Sequence, residues 1–299
     1  MNKIVLSTML ACSSLLGITA CQKHNETAEQ VKTPAPATTA AQAATGQLNA
    51  KTMKANYVLP ACEGEGCPQV DIQRLETGKP WINQFLDQKI LELSNVQLSE
   101  QPAKLTTLQA NVDRFIQAAK QDSIARGAPV PYTMQVTPEF LGEKGNIALF
   151  KLSAAFYTGG AHGSALDNYY TLDLKQKKQL RLADIMLAEQ QPKLHELVHQ
   201  QYADWVKQND LSADLAKYEQ DWPFKLTDNF TFGSEGLVFS YGQYEIGPYA
   251  VGMPEFTIPY AQLTGIIKPE YLTPPLQLQK QLLQQPQAAA EQNASATTN

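Results

Sequence analysis

From residue 57 onward the chain alternates between two hydrophobic rhythms. Tyr57 to Leu59 and Val70 to Leu75 are short runs that predict strands. Ile82, Phe85, Leu86, Ile90 and Leu93 then return at helical spacing, as do Leu105, Leu108, Val112, Phe115, Ile116 and Ala119, so two helices with one apolar face each are expected. Period-two alternation follows, with Tyr132, Met134 and Val136 set against Thr133, Gln135 and Thr137, and with Phe150, Leu152, Ala154 and Phe156 on one side of the next strand. Gly142-Glu143-Lys144-Gly145-Asn146 supplies the turn between them, completing a hairpin.

A further strand places Tyr170, Leu172 and Leu174 on one face, and Leu180 to Met186 reads as a strand end passing into a short helix. A longer helix is expected from about Pro192 to Gln208, on which Leu194, Leu197, Val198, Tyr202 and Trp205 form the apolar stripe. Phe230 to Phe232, Leu237 to Tyr241 and Phe256 to Ile258 close the pattern as short strands. Helices grouped apart from antiparallel strands predict an α+β fold, helix-rich in its first half and antiparallel-stranded in its second.

The two ends of the chain follow neither rhythm. Lys3, the mostly apolar run Ile4 to Ile18 and the small residues before Cys21 have the layout of a secretory signal over residues 1–20, and the cysteine fits the bacterial lipoprotein pattern. Acyl chains contribute about 0.8 kcal/mol per buried methylene and stable attachment takes more than one of them, a condition that a triacylated Cys21 meets. Gln22 stands where inner-membrane retention usually has Asp, so the expected place is the outer membrane, facing the periplasm. Residues 21–52, rich in Ala, Thr, Gln and Pro, lack the apolar groups to offset ordering entropy and read as a tether. Residues 277–299 read as a low-complexity tail, leaving 53–158 and 159–268 as the two folded parts.

Charge narrows the partners. The chain holds 24 basic and 29 acidic residues for a net charge of −5, and no segment is basic apart from Lys175-Gln176-Lys177-Lys178. Nucleic acid is therefore not an expected partner. Cys62 and Cys67 bracket Glu63-Gly64-Glu65-Gly66, whose glycines let the backbone fold back far enough to join the thiols in an oxidising compartment. A disulfide is expected in preference to zinc, which would need two further ligands nearby.

Candidate chemistry gathers in three motifs. Gly159 and Gly160, in Tyr157-Thr158-Gly159-Gly160-Ala161-His162, permit a sharp turn that displays His162. Tyr244, Pro248 and Tyr249, in Tyr244-Glu245-Ile246-Gly247-Pro248-Tyr249-Ala250, put aromatic area on an irregular connection, a composition suited to protein or sugar recognition. With Leu182-Ala183-Asp184-Ile185, Gly252 and Phe256-Thr257-Ile258-Pro259, these motifs resemble the RsiV/PdaC-like extracytoplasmic domains over about Asn56 to Ile267. RsiV-type members are anti-sigma factors whose outer domain binds lysozyme, and PdaC-type members join the module to a polysaccharide deacetylase. Neither the cytoplasmic segment nor the deacetylase is found in this sequence, so the resemblance implies a non-catalytic module without a cofactor, binding a lysozyme-like protein or a peptidoglycan component. The plainer alternative makes both motifs turns that hold strands together in a structural envelope lipoprotein.

The third motif is His195-Glu196-Leu197-Val198-His199. Two His four residues apart on a helix can hold zinc while the intervening Glu polarises its water, the arrangement of metalloproteases. The third ligand would be Glu219 on a following helix. Against this, His195 and His199 fall on the flank of the apolar stripe, where histidines cover a core without metal, and Pro192 and Gln200-Gln201 depart from zinc-peptidase surroundings. Gly163-Ser164 lacks the Gly-x-Ser-x-Gly elbow, the carboxylates Asp167 with Asp173 and Glu139 with Glu143 sit at turns and strand ends, and no Gly-rich phosphate loop occurs.

Overall fold

The computed structural model describes residues 48–64, 66–96, 98 and 107–273. The signal segment, Cys21, the tether up to residue 47, Leu105 and the tail 277–299 lie outside the described residues. Fourteen elements are used here: β1 (Lys51–Lys54), β2 (Gln69–Glu76), α1 (Pro80–Leu93), α2 (Leu108–Arg126), β3 (Thr133–Lys144), β4 (Ile147–Tyr157), β5 (Ser164–Asp173), β6 (Lys178–Gln179), α3 (Leu182–Ile185), α4 (Gln191–Gln208), α5 (Leu215–Asp221), β7 (Phe230–Phe232), β8 (Gly236–Ser240) and β9 (Glu255–Pro259). The first six strands form one sheet in chain order and the last three form another. The molecule is therefore α+β, as the hydrophobic rhythm requires.

The segregation of helix from strand does not follow the expected halves. Strands β1 to β4 share the first half with α1 and α2, while α4 and α5 share the second with β5 to β9. The β2–β3 pair is parallel, because the chain crosses over through α1 and α2 before returning. β1 begins within the stretch read as tether, and Leu48 just before it is only 1% exposed. All four β1 residues are exposed, so no alternation marked them. Tyr57 to Leu59 is not a strand. Instead the Tyr57 hydroxyl donates to the Val70 carbonyl and accepts from the Ile72 amide, and the Gln109 amide clamps both polar groups of the Val58 backbone.

Burial explains the strand and helix patterns. α1 and α2 pack Ile82, Leu86, Ile90, Val112, Phe115 and Ala119 against one face of the larger sheet, which supplies Ile72, Met134, Val136, Phe150 and Leu152. Thr107 caps α2 by accepting from the Ala110 amide, and Gly127 ends it in the left-handed region. A second apolar cluster joins Ile147 and Leu149 of β4 to Leu194, Val198, Tyr202 and Val206 of α4 and to Phe230, Leu237, Phe239 and Ile258 of the smaller sheet. The open edge of β5 is met by side-chain amide: Asn229 accepts from the Tyr169 amide and donates to the Asp167 and Ser240 carbonyls.

One cation is buried at the far end of the β3–β4 hairpin. Lys144, 6% exposed, donates from Nζ to the Tyr271 carbonyl at 2.5 Å and sits 4.5 Å from the centre of the Phe232 ring. Burial pulls its pKa down to about 8.

Candidate functional site

Strand register gathers several connections at one end of the larger sheet. Gln69 is opposite Thr133, Thr133 opposite Tyr157, and Phe156 opposite Ser164, so the residues that lead into β2 and β3 and the turn between β4 and β5 all leave from that end. In the last of these, residues 158–163, Gly159 has φ +78°, and a Cβ there would stand 2.5 Å from Val130 Cγ1. Only glycine fits. Gly160 carries no such demand, since its Cβ would find ordinary contact with the His162 carbonyl.

The turn brings His162 to the β8–β9 connection, residues 241–254. The His162 and Tyr249 rings stack with centroids 3.7 Å apart and planes 21° from parallel. His162 Nδ1 lies 2.9 Å from the Gly163 carbonyl, which can only accept, so Nδ1 carries a proton and in the neutral ring Nε2 is left with a lone pair. The Tyr244 hydroxyl, 3.1 Å from Nε2, donates to it. Tyr244 is 52% exposed and sits at φ +64°, a region that costs a bulky side chain of order 1–3 kcal/mol. Pro248 is exposed and Tyr249 half-buried. The two motifs thus form one aromatic cluster, with Gly160 at its margin.

Residues outside the motifs hold the cluster in place. Gln243 Oε1 accepts from the Ala165 amide at 2.8 Å, tying the tyrosine connection to the start of β5. The Tyr218 hydroxyl of α5 donates to the Ile246 carbonyl, and burial raises its pKa. A methyl group on Gly247 would stand 2.8 Å from that hydroxyl, 2.7 Å from Val251 Cγ2 and 3.1 Å from the Trp205 ring. Gln243 was adjacent to a motif in the sequence, but nothing in its type distinguished it from a solvated amide.

The histidine motif lies elsewhere, on α4. His195 is exposed, as is Glu196. The His195 and His199 rings are nearly parallel with centroids 6.0 Å apart, and both set an edge-to-face contact on Phe224. His199 Nε2 donates to Glu219 Oε1 at 2.6 Å. His199 and Glu219, expected as two ligands of one zinc, meet side by side, yet among the described residues no three His, Cys, Asp or Glu are placed to hold a metal ion. Cys62 and Cys67 are disulfide-bonded, with Cα atoms 5.8 Å apart.

Residues 183–261 match the model of DUF3298, a protein family of unknown function. The DUF3298 match takes in Tyr244, Pro248 and Tyr249 and leaves His162 outside. A crystal structure of a DUF3298 family protein from Pseudomonas aeruginosa is similar at TM-score 0.60 and 25% identity, covering 77% of this chain and 98% of that one. A DUF3298 member from Bacteroides fragilis is similar in fold at TM-score 0.55 and 18% identity, over 76% and 96% of the two chains. No curated protein matches the chain. These likenesses carry the DUF3298 name and no narrower one.

Proposed function

We propose that the chain is a non-catalytic binding protein of the cell envelope, an RsiV/PdaC-like module held by lipid on Cys21 at the outer membrane and facing the periplasm. Its ligand is a lysozyme-like protein or a peptidoglycan component, taken up by the surface around His162, Tyr244, Pro248 and Tyr249. The observation that carries this reading is Tyr244, an exposed aromatic side chain kept in a left-handed backbone conformation and tied to His162. Nothing in core packing requires an exposed ring there, whereas a fixed aromatic anchor loses little entropy when a ligand covers it.

Calorimetric titration of the purified full chain with a lysozyme and with soluble peptidoglycan fragments tests the reading. Binding to one of them is expected, weakened at least about tenfold, or about 1.4 kcal/mol, by combining His162→Ala with Tyr249→Ala. Full affinity in that double variant removes this surface, and silence towards both ligands removes the binding function.

A further inference from the structure

We infer that the Cys62–Cys67 disulfide is a thiol-exchange site, and that its oxidation state sets the packing of the turn that carries His162. The inference goes beyond the binding reading above and needs no ligand to be tested. The two cysteines are five positions apart in the sequence. Neither belongs to an apolar core cluster, and Cys62 is exposed while Cys67 is half-buried. A cross-link stabilises by closing a loop, and a short loop gains less than a long one. A bond that closes a small ring and lies open to solvent is one that an external thiol can reach.

The bond also fixes a stretch of chain that has little else to hold it. Gln109 clamps the Val58 backbone, and Gln69 enters the sheet by donating its amide to the Tyr132 carbonyl. Between these anchors residues 59–63 are exposed and, among the described residues, make no backbone hydrogen bond. Beside Cys67, Gly66 packs on the α2–β3 connection: a Cβ there would stand 2.7 Å from Pro129 Cβ and 3.2 Å from its Cα. The next residue, Val130, meets Gly159, whose Cβ would stand 2.5 Å from Val130 Cγ1. Pro129 and Val130 are thus wedged between the disulfide and residues 158–163, the turn in which His162 stacks on Tyr249. Neither glycine has room for a methyl group, and contacts this close pass on a displacement instead of absorbing it.

The partner in the exchange is a dithiol. One of its thiols, deprotonated, attacks Sγ of Cys62, the more exposed sulfur; the Cys62–Cys67 bond breaks, and Cys67 leaves as a thiolate that takes up a proton. The second thiol of the reductant loses its proton and attacks its own sulfur in the mixed disulfide, so that Cys62 leaves in the same way. Two electrons pass from the dithiol, which becomes a disulfide, to the two cysteines. Residues 59–66 then lose their covalent tie to Cys67, and Pro129 loses a fixed neighbour.

The test uses the full chain in the absence of denaturant, with dithiothreitol as the dithiol. Alkylation followed by peptide mass spectrometry is expected to find both Cys62 and Cys67 reduced while the protein still unfolds cooperatively on heating. Protection of both sulfurs until urea unfolds the chain overturns the exchange site. On reduction the His162 ring proton resonances, displaced by the ring current of Tyr249, are expected to move. The Val130 and Tyr132 amides, bonded to Ser123 Oγ and to the Val130 carbonyl, should exchange with solvent at least about threefold faster. Combining Cys62→Ser with Cys67→Ser should reproduce both changes, and Gly66→Ala, which presses on Pro129 with the disulfide intact, should move the His162 resonances by itself. Resonances that stay in place on reduction overturn the coupling, and a shift on reduction without one in Gly66→Ala overturns its route through Pro129. Failure of lysozyme and peptidoglycan fragments to bind would remove the binding reading and leave these outcomes untouched.

Discussion

The Tyr244 hydroxyl donates a hydrogen bond to Nε2 of His162, although 82 residues separate them in the chain. The direction follows from the Gly163 carbonyl, which engages Nδ1–H and fixes the tautomer. Tyr244→Phe should therefore shift the ¹⁵N resonances of the His162 ring away from the Nδ1-protonated pattern. Because the pair is exposed, unfolding free energy should fall by no more than about 1 kcal/mol; unchanged ring resonances would contradict the assignment.

Gly247 is the point where α4 and α5 support the tyrosine connection. Gly247→Ala places a methyl group against Val251, the Tyr218 hydroxyl and Trp205, and such overpacking costs about 1–3 kcal/mol. Urea denaturation should show that loss. Trp205 fluorescence should change with it, since the ring must shift to make room.

Lys144 makes a pH-dependent contribution of known sign. Its folded pKa is about 8, below the ordinary lysine value of 10.5. At neutral pH both states carry the proton, and the cost of burying the charge is fully present. Between about pH 8 and 10 the folded state releases the proton while the unfolded chain still holds it, so stability climbs. The buried tyrosines whose pKa values burial raises, among them Tyr202 and Tyr241, act in the opposite sense, lowering stability as the unfolded phenols begin to ionise above about pH 9. Denaturant midpoints from pH 7 to 9 should rise by the equivalent of about 1 kcal/mol, and Lys144→Met should flatten the rise.

His199 and Glu219 form a hydrogen-bonded pair on Phe224 with their mutual contact already satisfied. Glu219→Gln should cost about 1 kcal/mol by weakening a charge-assisted bond. Purified protein is expected to carry zinc well below one equivalent, and His199→Ala should leave that content unchanged. Near-stoichiometric zinc lost in His199→Ala would instead restore the metalloprotease reading.

Legibility in the sequence tracked burial. α1, α2 and α4 each carry a buried stripe, and their periodicity announced them; β3 and β4 alternate against the same core and did likewise. β1 has no buried residue to mark it, and the apolar character of Tyr57 to Leu59 reflects one buried ring beside two exposed side chains. At the site, the motif residues were readable one segment at a time. Their convergence was not, because it depends on the β4–β5 turn and the β8–β9 connection meeting through Gln243 and Ala165. The histidine spacing on α4 was equally plain, yet ring orientation is decided by Phe224, 25 residues beyond His199.

Asn229 has a consequence for how copies of this protein coexist. A strand border with bare amides and carbonyls is a rail on which another molecule can stack. Here one carboxamide covers the Tyr169 amide and the Asp167 carbonyl, while lysines at 51 and 54 put charge on the opposite border. Copies of this protein brought close together therefore meet without a ready seam along these borders on which ribbons could grow.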